Sequence, residues 1–182
     1  SGKSTLLNLI SLIDRPTNGS IKFENIQVNF NDKDKNDIFR AKKIGIVYQQ
    51  NNLLPDFTAL ENLYLASLSI NDNKKMAMLK AEKLLKKIGL TSRSDHFPSQ
   101  LSGGESQRVA IARAIINDPD IILADEPTGS LDMKTAKDIF ALLNNQKKRN
   151  RLIIFATHNR FFAKKADYLL ELTNGSIKST NA

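Results

Sequence analysis

The stretch IILADEPTGSLD at residues 121–132 decides the organisation of the chain, because four apolar residues run directly into Asp125 and Glu126. A short continuous apolar run is typical of a strand buried on both faces of a parallel sheet. Ligands bind beyond the carboxyl ends of such strands. The stretch therefore predicts a central strand that brings both carboxylates to the mouth of a site, on opposite sides because neighbouring strand residues alternate. The alternative is a strand that simply ends in a solvated loop.

Composition limits the classes of protein that the chain can belong to. Its 182 residues suffice for one domain with a sizeable core, and 41% hydrophobic with 25% charged residues is ordinary for a soluble globular protein. Cysteine is absent, which excludes disulfides and thiolate metal sites. The two histidines, His96 and His158, are too far apart in sequence for a local histidine cluster. No apolar run could cross a bilayer, so membrane association requires a partner or the surface.

The net charge of +8 has several possible explanations. It could reflect a lysine-rich solvated surface, or binding to nucleic acid, an anionic membrane or phosphate. Much of the excess lies at residues 74–87 and 147–151. The first segment has the pattern of a helix with a polar face, and no aromatic residues alternate with its lysines as a base-stacking surface requires. The pattern favours a solvated surface.

The first five residues, SGKST, match the second half of the phosphate-binding loop G-x-x-x-x-G-K-[ST]. Gly2 would let the backbone approach a phosphate, Lys3 would supply charge to the β- and γ-phosphates, and the Ser4 hydroxyl could ligate Mg²⁺. Apolar residues at helical spacing follow, so a helix N-terminus would face the phosphates. The first glycine of the pattern and its strand do not precede these residues, and we expect the natural start to lie upstream.

Two further apolar runs resemble the central one. Residues 43–49 (KIGIVYQ) end in Gln49, and residues 152–157 (LIIFAT) precede His158. Because parallel strands end at one edge of a sheet, we expect both side chains to lie near Asp125 and Glu126. The alternatives are a polar strand terminus for Gln49 and a structural role for His158.

The rest of the chain predicts supporting elements around this sheet. Residues 20–30 alternate like half-exposed antiparallel strands, and the polar residues 31–37 indicate a loop. Residues 53–100 indicate a helical insertion, with a capping box of Thr58 and Glu61 and a helix over 74–88 that Gly89 ends. Asn174 and Gly175 indicate a closing hairpin. We expect a single α/β domain over residues 1–182.

The segment LSGGESQR at residues 101–108 predicts a second helix start that can bind an anion. Ser102 and Glu105 form a capping box, and Gly103 and Gly104 leave the backbone bare just before a helix over residues 105–117. This helix is apolar on most sides and should be buried. A capped core helix with a flexible lead is the alternative.

Taken in order, these motifs resemble those of the ATP-binding cassette (ABC) ATPases over essentially the whole chain, most specifically through LSGGESQ. The resemblance implies a P-loop NTPase fold with a mostly parallel sheet, flanking helices, an inserted helical subdomain and a small antiparallel part. It implies ATP and Mg²⁺ as cofactors, with the phosphates bound by Ser1, Gly2, Lys3, Ser4 and Thr5.

The same resemblance assigns the remaining site residues. Glu126 would be the general base, His158 the switch that contacts the γ-phosphate, and Gln49 the residue that touches metal and water and relays to a transmembrane partner. Further roles are Mg²⁺ coordination by Ser4, Gln49 and Asp125, binding of the other subunit's γ-phosphate by Ser102, Gly103 and Gly104, and an interface position for Asp132.

Residues 51–63 (NNLLPDFTALENL) and 123–132 (LADEPTGSLD) look like the lipoprotein-releasing ATPase subfamily, which has macrolide-export and cell-division relatives. This implies a dimer beneath two permease subunits at the cytoplasmic face of the bacterial inner membrane, where it drives extraction of lipoproteins. Ser106 and Asn159 depart from the usual family residues, and neither is a predicted ligand. The upstream aromatic that stacks on adenine also lies outside the sequence.

Two other classes of function are less compatible with the sequence. Chromosome-type ABC ATPases have a long coiled coil between P-loop and signature, and translation-type relatives have two cassettes; this chain shows neither. We therefore expect no nucleic-acid partner. A non-catalytic interaction module would be expected to lack Glu126 or His158, and both are present.

Overall fold

The computed structural model describes residues 2–70 and 73–180, and the side chains of all of these except the last two. Three strands, β3, β4 and β5, form a parallel sheet, and seven α-helices surround it in the described residues. The α-helices are α1 (Lys3–Ile10), α2 (Lys33–Lys43), α3 (Ala59–Leu68), α4 (Lys74–Lys87), α5 (Gly103–Ile115), α6 (Met133–Asn144) and α7 (Arg160–Ala163). The strands are β1 (Lys22–Phe23), β2 (Ile26–Gln27), β3 (Ile44–Val47), β4 (Ile121–Asp125), β5 (Leu152–Ala156), β6 (Leu169–Thr173) and β7 (Ser176–Thr180). Short 3-10 turns lie at Thr91–Arg93 and Pro98–Gln100.

The strand that ends at Asp125 lies in the centre of the parallel sheet, as predicted. The order is β3-β4-β5, with Val47 opposite Ala124 and Ala124 opposite Phe155. All three strands run the same way, so their carboxyl ends meet at one edge. The predicted α/β fold with a parallel sheet is therefore confirmed, and the antiparallel pairs β1/β2 and β6/β7 form the small antiparallel parts.

The two faces of the sheet pack against different helices. On one face Leu123 packs with Leu7 of α1, while on the other Ile122 packs with Ile111 of α5 and Ile139 of α6. This separation follows from the alternation of side chains along a strand, since both faces of β4 are apolar. The helices that begin at Gly2 and at Ser102 therefore pack on opposite faces of the sheet.

Helices α3 and α4 pack against each other and share a hydrophobic cluster with α5. Buried Asn62 shapes the lead into α3, because its side-chain amide donates to the carbonyls of Leu54, Phe57 and Thr58 and its oxygen accepts from the N–H of Leu54. Gly89 follows Ile88, the C-cap residue of α4, and its φ of +74° lies in the left-handed region that favours glycine. The boundaries of the helical insertion at residues 53–100 stay a prediction.

The loop predicted at residues 31–37 is wrong, because α2 begins at Lys33. Asp32 caps this helix by accepting from the N–H of Lys35, and its carboxylate also pairs with the Lys35 ammonium. None of the helix residues is fully buried, and Phe39 packs partly against the sheet. Residues 33–37 are all polar or charged, so the first part of this helix has the composition of a loop. The predicted strand at 43–49 is also shorter than expected, since β3 ends at Val47.

No helix within residues 2–70 and 73–180 is both long and apolar enough to cross a membrane.

Gly45 allows β3 to approach α5, and its replacement tests this contact. A Cβ at Gly45 would lie 2.1 Å from the carbonyl oxygen of Ala114, and this backbone cannot shift without moving the helix. We expect Gly45→Ala to lower the free energy of unfolding by about 1–3 kcal/mol or more, measured by urea denaturation. The control is Gly103→Ala, whose Cβ would meet Leu131 at an ordinary 3.5 Å. Equal stability of the two variants would contradict this packing.

Candidate active site

The carboxyl end of β4 changes the direction of the chain at Glu126. The strand ends at Asp125, and Glu126 has φ +45°, in the left-handed region that non-glycine residues rarely adopt. Its N–H still donates to the carbonyl of Ala156 on β5 at 2.9 Å, and its carbonyl accepts from Gly129. The expected alternation of Asp125 and Glu126 does not apply, because the pleat ends between them. Such strain occurs mostly at functional sites, where the surrounding structure holds it.

The Glu126 carboxylate is the centre of a cluster of three predicted site residues. Its Oε1 lies 2.8 Å from Nδ1 of His158 and 3.8 Å from Nζ of Lys3. The glutamate side chain is 13% exposed, whereas that of His158 is 72% exposed. The structure therefore brings a general-base candidate, a histidine and the loop lysine together, with the carboxylate held and the imidazole open to a ligand.

The N-terminus of α1 differs from the other helix starts in the way it is capped. Gly2 is its N-cap residue, with φ +80°, and no side chain caps the helix. Each of the other α-helices in the described residues has a side-chain cap; for α2 to α7 these are Asp32, Thr58, Asn73, Ser102, Asp132 and Asn159. Ser4 and Thr5 are exposed in the first turn of α1. A phosphate would take the place of the missing cap. Ser1, also predicted to bind phosphate, lies outside the described residues.

Gln49 and Asp125 complete the edge of the sheet without joining the cluster of Lys3, Glu126 and His158. Gln49 is exposed two residues beyond β3, where a Cβ on Gly129 would lie 3.0 Å from its Nε2. It therefore lies over the turn that follows Glu126. Asp125 is half-buried as the last residue of the central strand.

The segment Ser102–Gly104 forms a second helix start, on the face of the sheet opposite to α1. The Ser102 hydroxyl accepts from the N–H of Glu105, and the Glu105 carboxylate accepts from the N–H of Ser102. Arg93 binds the same carboxylate at 3.0 Å. The pKa of Glu105 is lowered, first by the Ser102 N–H and then by Arg93. Within the described residues the N–H groups of Gly103 and Gly104 have no acceptor, so they remain available to an anion.

Asp132 has a structural role that the sequence analysis missed. Its carboxylate accepts from the N–H groups of Lys134 and Thr135 and, at 2.6 Å, from the Thr135 hydroxyl. These bonds cap α6, and the hydroxyl is the main reason why the pKa of Asp132 is lowered. Its predicted place at a subunit interface stays a prediction. A cap at this position could have been inferred from the aspartate that directly precedes α6.

Sequence reasoning also missed Arg113 of α5. Its guanidinium donates to the carbonyl oxygens of Asn52 at 2.7 Å and Asn51 at 3.0 Å, in the loop that follows Gln49. The sequence did contain an indication of this contact, namely a charged arginine within a helix that is otherwise apolar on most sides.

Comparisons with known proteins agree with this geometry. The family model described as ABC transporter matches residues 1–129. The chain is 45% identical to the lipoprotein-releasing system ATP-binding protein LolD of Rickettsia bellii, over 97% of this chain and 78% of that protein. It is 46% identical to LolD of Wigglesworthia glossinidia brevipalpis, over 100% and 80%. The dimeric structure of MJ0796, described as a bacterial ABC transporter cassette, superposes with a TM-score of 0.87 at 39% identity, over 98% of this chain and 80% of that one. A dimer of MJ0796 bound to ADP and Pi gives a TM-score of 0.86.

Packing leaves no room for a side chain at Gly104, apart from any role of this residue in binding an anion. A Cβ at Gly104 would lie 2.7 Å from Cγ2 of Thr135, whose hydroxyl is held by Asp132. We expect Gly104→Ala to lower the free energy of unfolding by about 1–3 kcal/mol, and Thr135→Ser to restore most of it, because serine keeps the hydroxyl and lacks the clashing methyl. Urea denaturation of both single variants and the double variant measures this. A loss in Gly104→Ala that Thr135→Ser does not reduce would contradict the contact.

Proposed function

The chain belongs to the ABC transporter family, and we propose that it is the subunit that binds and hydrolyses ATP in a lipoprotein-releasing system. The observation that carries the chemistry is the cluster of Lys3, Glu126 and His158 beside the uncapped N-terminus of α1. The similarity to LolD proteins supports the lipoprotein-releasing assignment over the macrolide-export and cell-division alternatives.

Phosphoryl transfer requires mainly positioning and charge neutralisation, and these residues can supply both. The N–H groups of α1 and the Lys3 ammonium would hold the β- and γ-phosphates. Glu126 would orient the attacking water and accept its proton. Nδ1 of His158 faces this carboxylate at 2.8 Å, so Nε2 is the ring nitrogen that remains for the γ-phosphate.

The ligands proposed for Mg²⁺ are the Ser4 hydroxyl, the Gln49 side-chain oxygen and the Asp125 carboxylate. This set contains only oxygen donors and one carboxylate, which suits an ion that keeps several waters and binds substrate phosphates. The described residues contain no cluster of three or more histidine, cysteine or acidic side chains that could hold a metal by themselves. Bound there, Mg²⁺ would neutralise charge on the β- and γ-phosphates.

A second copy of the chain would complete the nucleotide site. Helices α1 and α5 pack on opposite faces of the sheet, which supports the proposal that the bare amides of Gly103 and Gly104 serve a nucleotide held by the other subunit. The chain is an ATPase subunit of a membrane transporter and pairs with permease subunits. We place it at the cytoplasmic face of the bacterial inner membrane, held there through the permease.

A role in nucleic-acid binding gains no support from the basic segment at residues 147–151. Lys147 pairs with Asp167, while Lys148 and Arg151 both bind Asp118. The two pairs with Asp118 connect the residues before β5 to the turn before β4, and the pair with Asp167 reaches the residues before β6. Three of the four cations of the segment therefore already have acidic partners.

Replacing the proposed base should separate binding from turnover. In the ATPase assembled with its permease, we expect Glu126→Gln to retain ATP binding and to lose about 10²–10⁴-fold in hydrolysis rate, because an amide cannot accept the proton of water. Nucleotide binding and phosphate release are measured on the same preparation.

The control for this experiment is Glu61→Gln. Glu61 accepts from the N–H of Thr58 in the capping box of α3, and a glutamine oxygen can accept the same bond. Its hydrolysis rate should stay within about twofold of the unmodified transporter, as for other surface changes. Normal hydrolysis by Glu126→Gln would refute the role assigned to Glu126.

A further inference from the structure

Arg113 connects the helix that carries the Ser102–Gly104 segment to the loop that carries Gln49. It lies near the end of α5, and its two guanidinium bonds reach the carbonyls of Asn51 and Asn52, two consecutive residues of that loop. From the same helix, Nε2 of the buried Gln107 faces the carbonyl of Tyr48 at 3.4 Å. Backbone carbonyls on both sides of Gln49 are therefore held by α5.

The charged guanidinium of Arg113 binds these two carbonyls. Burial lowers the pKa of the guanidinium, and within the described residues no carboxylate pairs with it. Burial raises the pKa of Tyr48, and the charge of Arg113 partly opposes this rise. A cation that is partly removed from water without an ion-pair partner is retained only where it makes other strong bonds.

The loop that Arg113 binds is strained. Asn51 and Asn52 both have left-handed φ angles, +54° and +46°. Asparagine tolerates this region better than most residues, but two in succession still require support from the surroundings. A planar guanidinium fork can donate to two adjacent carbonyls at once, whereas a lysine ammonium is a single point of charge. The arginine therefore fits the strained loop in a way that lysine does not.

We propose that Arg113 is a positioning residue that acts through Gln49. It fixes residues 48–52 to α5, so that Gln49 stays over the turn that follows Glu126 and moves with the helix that begins at Ser102. These hydrogen bonds connect the loop of Gln49 directly to the helix that follows Ser102. In the proposed function these two segments contact different nucleotides. This inference rests on the proposed function, which gives Gln49 its place beside the reacting atoms.

The test uses the complete transporter with its permease. We expect Arg113→Lys to lower kcat about tenfold, the equivalent of one lost charge-assisted hydrogen bond, with KM for ATP changed less than about twofold. The matched control is Arg108→Lys on the same helix, whose guanidinium contacts the carbonyl of Ile88 at 3.5 Å and Asp138 at 3.8 Å. This control should leave both parameters unchanged.

A double-variant comparison separates positioning from general stability. If Arg113 acts through Gln49, Arg113→Lys should slow hydrolysis no further in a Gln49→Ala background, because effects on a shared path are not additive. Additive losses would overturn the proposal. An unchanged kcat in Gln49→Ala would also overturn it, since Arg113 would then have no catalytic group to position.

Amide hydrogen exchange tests the loop attachment without reference to activity. Exchange at residues 50–53 should become faster in Arg113→Lys, while exchange in α3 stays unchanged; equal exchange at 50–53 overturns the attachment. A second variant, Asn52→Val, changes the loop at an exposed position. A β-branched residue disfavours the left-handed conformation, so this variant should show the same loss in kcat, even if Arg113→Lys does not fold. A complete transporter without ATP hydrolysis would refute the proposed function, and the exchange result would then decide the attachment alone.

Discussion

The hydrogen bond from the Glu126 N–H to the Ala156 carbonyl is the contact on which the site depends. It continues the ladder between β4 and β5 by one residue, although the backbone of Glu126 has already left the extended conformation. A pleated continuation of β4 would have alternated the direction of its side chains. The left-handed turn instead places the carboxylate against His158 and Lys3. Correct parallel register between the two strands is thus a condition for the general-base geometry.

The two glycine-containing helix starts differ in a way that agrees with two different tasks. The start of α1 has no side-chain cap, so its amides favour an anionic ligand. The start of α5 is already stabilised by Ser102 and Glu105, and among the described residues nothing accepts from the amides of Gly103 and Gly104. A capped helix keeps its shape without ligand. It would therefore not need to unfold locally in order to meet the nucleotide of a second subunit, as proposed for Gly103 and Gly104.

Much of this arrangement could be predicted because it depends on apolar runs and on topology. Three apolar runs gave three parallel strands, and the rule that such strands end at one edge placed Gln49, Asp125 and His158 together there. The features that were missed depend on contacts distant in sequence. Helix α2 has no fully buried residue, and its first five residues are all polar or charged like those of a loop. The two bonds of Arg113 join residues that are 61 and 62 positions apart. Single-residue conformations such as that of Glu126 are set by these same distant contacts.

The contact between Lys3 and Glu126 would change when nucleotide binds. At 3.8 Å it is a weak ion pair, and the lysine side chain is still 32% exposed. A triphosphate carries more negative charge than one carboxylate and also bonds to the amides of α1, so it would draw the ammonium away from Glu126. His158 would then remain as the partner of the carboxylate, through the shorter contact of 2.8 Å. The histidine would thus keep the carboxylate in position while the lysine turns to the phosphates.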